Sequence, residues 1–111
     1  MAYDEDLAHQ IREHLEGEEN VTERAMFGGL AFLLGGNMTV SASRRGGMMV
    51  RVGPDAAADA LGRPHTEQII MRGRPMIGWI YVEAEGVRTS RQVGAWVRRA
   101  AKFTRTLPAK A

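Results

Sequence analysis

Three histidines are the first residues to test for chemistry. His9 and His14 lie five positions apart, which on a helix of 3.6 residues per turn is about 500° and leaves the rings roughly 140° apart. They cannot chelate one metal from one helix face. His65 follows Pro64 with no second ligand near it in sequence and reads as a solvated loop residue. Ser41, Ser43 and Ser90 stand outside any GxSxG turn that would expose a nucleophile, and read as strand or capping hydroxyls. Glu83 and Glu85 end a strand beside Gly86, which makes them a hydrophilic edge rather than an acid/base pair. The glycine pairs form neither GxGxxG nor GxxxxGK and read as turn residues. The chain has no cysteine, so disulfides, thiolate metal sites and cysteine nucleophiles are all excluded. The expectation is a protein without catalytic residues, metal ligands or cofactor, and not an enzyme.

Two sets of cations withstand the same test. Arg44 and Arg45 precede Gly46-Gly47, and Arg72 and Arg74 flank Gly73, so two hairpin tips each carry a pair of guanidinium groups. Such tips suit bidentate contacts to phosphate or carboxylate, although charged tips also simply keep hairpins soluble. The second set is Arg91, Arg98, Lys102 and Arg105, which fall opposite Val93 on the last helix. From Arg88 to Ala111 there are seven bases and no acid, where a merely solvated helix face mixes signs. The formal charge of +2 hides this asymmetry. Residues 1–23 hold eight acids against one base, and residues 24–111 hold fourteen bases against five acids.

The elements that must position these groups follow from periodicity. Leu7, Ile11 and Leu15 recur every four positions behind an acidic first turn, predicting a helix from Asp4 to Leu15 that stops at Gly17. From Thr22 to Val52 short β-type runs are punctuated by Gly28-Gly29, Gly35-Gly36-Asn37 and Gly46-Gly47, the spacing of an antiparallel meander. Met38, Val40 and Ala42 alternate with Thr39, Ser41 and Ser43, predicting a strand with one wet face. Gly53-Pro54-Asp55 opens a short alanine-rich helix through Leu61, with proline at its first position. Strands over Gln68–Met71 and Met76–Glu83 are joined at Arg72-Gly73-Arg74-Pro75. A last helix runs from Thr89, capped with Gln92, to about Leu107, and residues 108–111 read as a frayed tail. The segregated order gives an α+β domain over residues 1–111, an antiparallel β-sheet with helices mainly on one face.

The length of 111 residues suits one core. No apolar run spans a bilayer and the start is acidic, so a cytoplasmic location is expected. The string Arg24-Ala25-Met26-Phe27-Gly28-Gly29, the strands around it and a closing helix with Trp96 resemble the TfoX N-terminal-domain family, small bacterial proteins related to a regulator of DNA-uptake competence. The resemblance covers essentially the whole chain. It implies an α+β domain in this element order, no catalytic residues and no cofactor. Arg24, Met26, Phe27, Gly28, Gly29 and Trp96 are expected to be structural, with Phe27 in the core and a glycine where no larger residue fits. The expected function is a non-enzymatic regulatory or protein-interaction module. The alternative is weak, non-sequence-specific nucleic-acid binding through the basic C-terminal helix, which an acidic N-terminal helix packed against it would neutralise. The strand Ile77–Val82 is apolar on both faces and the chain has seven methionines, so a homodimer burying an exposed Trp79 and Tyr81 is a further expectation.

Overall fold

The computed structural model describes residues 3–26 and 28–110. Helix α1 (Glu5–His14) starts where Asp4 accepts hydrogen bonds at one carboxylate oxygen from the backbone N–H groups of Asp6 (2.9 Å) and Leu7 (3.1 Å). Its apolar edge, Leu7, Ile11 and the capping Leu15, is buried. Six strands follow: β1 (Val21–Met26), β2 (Gly29–Leu34), β3 (Asn37–Ala42), β4 (Met48–Arg51), β5 (Thr66–Met71) and β6 (Arg74–Val82). They form one sheet in the order β1-β2-β3-β4-β6-β5, antiparallel throughout. The first four strands are the expected meander; β6 then returns beside β4 and leaves β5 at the edge.

Helix α2 (Ala57–Leu61) lies between β4 and β5 and rests against β5 and β6. It begins three residues after Pro54, which sits in the preceding turn rather than at the first helical position. Helix α3 (Ser90–Thr104) carries the expected capping box: Gln92 N–H donates to Thr89 Oγ1 (3.1 Å), and Thr89 N–H donates to Gln92 Oε1 (3.1 Å). It packs on β3 and β4 and against α1. At the junction, His14 Nε2–H donates to the Ser90 carbonyl (2.9 Å), so this histidine ties two helices together.

The core lies between this helical layer and one face of the sheet. Phe32, Val40, Val50, Ile80 and Val82 meet Ile11, Val93, Val97 and Ala100, all fully or almost fully buried. Gly53 has φ of +89°, and a methyl group there would overlap the Phe103 ring, so glycine lets α3 close on the end of β4. At the β1 edge, Arg12 grips Glu23 with two hydrogen bonds (2.6 and 2.8 Å) and lies over the Phe32 ring at 5.9 Å. The hydrogen bonds from Arg12 hold the Glu23 carboxyl below its ordinary range and raise the guanidinium above its own.

Four local expectations are corrected. The wet face of β3 does not exist: a bulge between Phe32 and Leu33 shifts the register, and Thr39 and Ser41 are buried. The β5–β6 turn is tighter than expected, because Met71 pairs with Arg74 and only Arg72 and Gly73, both at positive φ, make the turn. Strand β5 begins at Thr66, two residues early, where Thr66 pairs with Val82. The tail is held through residue 110: Asn37 Nδ2–H donates to the Pro108 carbonyl (2.9 Å), and Lys110 N–H donates to the Gly35 carbonyl (2.7 Å). A side-chain amide and a backbone carbonyl at a hairpin tip thus recruit a segment that has no pattern of its own.

Candidate interaction surface

The sheet has a second face, and all three helices lie on the other one. Period-two alternation places Met49 and Arg51 opposite Met48 and Val50, and Trp79 and Tyr81 opposite Ile80 and Val82. The register then sets Arg24 beside Ala31, Leu33 beside Met38, Met49 beside Tyr81 and Arg51 beside Trp79. The result is a surface of methionines, Met26, Met38, Met49 and Met76, around two aromatic rings.

Neither ring is exposed as expected. Trp79 is 9% and Tyr81 5% accessible. The Arg45 guanidinium lies 4.3 Å from the Tyr81 ring centre, and that of Arg51 lies 5.7 Å from the Trp79 ring. Tyr81 also accepts a hydrogen bond at its hydroxyl from Gly47 N–H (3.0 Å). Arg45 reaches across to Glu67 (3.1 Å), and Arg51 donates to the Met38 carbonyl (3.3 Å). Long cationic side chains have thus laid their stems over the aromatic surface.

Two adjoining hollows mark this face. One, of about 360 Å³, runs from Arg24 and Met26 on β1 to Met76 and Trp79 on β6, with Arg51 and Lys110 at its rim and, among the described residues, no acid in its lining. The other, of about 380 Å³, lies over Met49, Tyr81 and Met71 and contains the Arg45–Glu67 pair. Arg24, Arg51 and Lys110 form no ion pair among the described residues.

The cations singled out from sequence are scattered by the fold. Ala42, Met48, Val82 and Thr66 align across one end of the sheet, whereas Met71 and Arg74 close the other. Arg44 and Arg45 therefore sit at the opposite end from Arg72 and Arg74. Arg45 turns onto the open face, and Arg44 packs over Gly28, where an added Cβ would lie 2.9 Å from its Cδ. Arg72 and Arg74 are exposed on a hairpin that projects past the end of β4, together with Ile70 and Ile77 at 58% and 70% accessibility. On α3, Arg91, Arg98 and Lys102 are exposed and free of ion pairs among the described residues, while Arg105 binds Glu18 at 2.7 Å. The acidic segment therefore neutralises one member of that stripe. Arg99 binds Asp59 at 2.7 Å and lies 5.4 Å from the Trp96 ring.

The early motif divides by function. Gly28 has φ of +77°, and a methyl group on Gly29 would overlap the Ala42 carbonyl oxygen, so the pair fits where larger residues do not. Arg24 and Met26 line the open face, and Trp96 is buried in the core. The placement expected for Phe27 falls outside the described residues. Among the described residues no three His, Asp or Glu side chains converge on a metal position, and no helix is long and apolar enough to cross a membrane.

Against the sequence patterns of known families, residues 13–104 match the TfoX N-terminal domain. The chain belongs to that family. A search of curated proteins finds no significant match, and a search of solved structures finds none. Two cations of this TfoX N-terminal domain's open face, Arg51 and Lys110, are not among those expected from sequence. Arg51 had a signal, since alternation along Met48–Arg51 sends it to the face opposite the core. Lys110 had none, because only the tail's hydrogen bond to Gly35 brings it there.

Proposed function

We propose that this TfoX N-terminal domain is a non-enzymatic regulatory module of the cytoplasm that works by holding a protein partner against the open face of its sheet. The observation that carries the proposal is a continuous surface of flexible methionines rimmed by cations, over which no helix or strand lies among the described residues. Methionine-rich surfaces adapt to apolar partners because thioether chains repack at little cost. The test is photo-crosslinking in cells. A crosslinker at position 38, which lines the same hollow as Met49, traps a protein and loses it on Met49→Glu, whereas one at position 91 on α3 traps none. Equal trapping from both positions sinks the proposal.

One observation supports a second reading. The exposed Arg91, Arg98 and Lys102 can meet about three phosphates, for a salt slope near −2.7 on duplex DNA, shallower than four free cations would produce. Binding through them would be weak and indifferent to base sequence, since among the described residues no element is shaped to read base edges.

A further inference from the structure

We infer that the partner segment received by the open face is an acidic amphipathic helix of another protein, an inference that rests on the protein-binding reading above. Charge selects the partner's sign. Among the described residues, Arg24, Arg51 and Lys110 rim the hollow of about 360 Å³ without ion-pair partners, and no acid lines it. Carboxylates flanking an apolar stripe would meet all three, while the stripe itself packs on Met26, Met38 and Met49.

Dimension selects the helix. The hollow crosses five neighbouring strands, from β1 to β6. Four gaps of about 4.8 Å make a span of about 19 Å, the length of a helix of about 13 residues. Helices are also what the opposite face of the same sheet accepts.

Two other occupants fit less well. Bases stack on exposed rings, and here the guanidinium groups of Arg45 and Arg51 roof Tyr81 and Trp79. A second copy set face to face would oppose cation to cation, and the chain's own acidic helix α1 has its apolar edge, Leu7, Ile11 and Leu15, committed to the core.

The probe is a 16-residue capped peptide with leucines at helical spacing and glutamates on their flanks, titrated into the ¹⁵N-labelled chain. Its counterpart carries lysine in place of glutamate. The expected result is shift changes centred on Met38, Met49 and the Trp79 indole, with the glutamate peptide binding at least tenfold more tightly than the lysine peptide. Arg24→Glu with Lys110→Glu, both exposed and remote from the core, removes at least tenfold of that affinity. Arg91→Glu with Arg98→Glu makes the same charge change on α3 and shifts it less than twofold. Equal affinity for both peptides, equal loss in both double variants, shifts confined to α3, or a dimer by sedimentation that the peptide cannot dissociate would overturn the inference. If position 38 captures a protein in cells while the glutamate peptide shows no preference, this inference fails and the protein-binding reading stands. If position 38 captures nothing, both fall.

Discussion

The two faces of this sheet are made by the same six strands, yet they hold different kinds of side chain. Toward the helices point Val40, Val50, Ile80, Val82 and Phe32, all fully buried, which are mostly β-branched or aromatic and occupy few rotamers. Away from them, around the buried rings of Trp79 and Tyr81, point Met26, Met38, Met49, Met76, Arg24 and Arg51, long unbranched chains that are half-buried or exposed. Stiff residues give a single packing and suit a permanent contact; flexible ones suit a surface whose partner comes and goes. The covered face is accordingly where stability resides, and the open face is where substitutions should be tolerated by the fold and, on the proposed function, felt by a partner.

The largest expected effect tests that division directly. Phe32→Ala should cost about 3 to 5 kcal/mol in urea unfolding, while Met49→Ala on the open face should cost about 1 kcal/mol because its site is only half-buried. Equal losses would make the open face a second core. Gly53→Ala should cost about 2 to 3 kcal/mol, since the methyl displaces Phe103 and the residue must hold φ near +89°. A melting curve unchanged by that substitution would show that α3 does not depend on this contact.

Deleting residues 108–111 should cost about 1 kcal/mol through the lost bonds to Asn37 and Gly35. In the intact chain the Lys110 amide should exchange slowly with solvent; rapid exchange would detach the tail from the open face and remove from its rim Lys110, one of the cations without an ion pair among the described residues. The smallest effect lies at the β1 edge. Glu23 titrates below the usual carboxylate range in the folded chain because of its hydrogen bonds from Arg12. Its contribution, about 0.5 kcal/mol for a pair this exposed, is complete above the unfolded carboxylate's range and disappears as pH falls through the lowered value. Glu23→Gln should therefore lower stability at neutral pH and leave it unchanged in strong acid. A difference that persisted in strong acid would point to packing rather than charge.

Much of the architecture was legible in sequence for local reasons. Glycine pairs marked the hairpins, four-residue apolar spacing marked α1, and Thr89 with Gln92 marked the start of α3, because each signal acts over a few residues. The candidate surface was only half legible. Alternation sends Met49 and Arg51, and likewise Trp79 and Tyr81, to one face, but does not encode that Arg45 and Arg51 fold down over the rings. The wet face assigned to β3 failed for two reasons: a bulge, invisible to an alternation count, leaves Met38 beside Leu33 and Thr39 buried, and Ser41 is covered where it lies beside Ala31 and Met49.

The sequence by itself determined which segments are helix and strand, where the glycine turns fall, the family to which the chain belongs, and the separation of acidic residues from basic ones. Tertiary structure alone decided which cations share a surface. Arg24, Arg51 and Lys110 are distant in the chain and belong to a strand, another strand and a tail; strand register and one backbone hydrogen bond gather them on the face the helices leave open. Local propensity acts between near neighbours in the chain, whereas a surface is assembled by pairings whose partners lie far apart in sequence, and no short-range pattern encodes those.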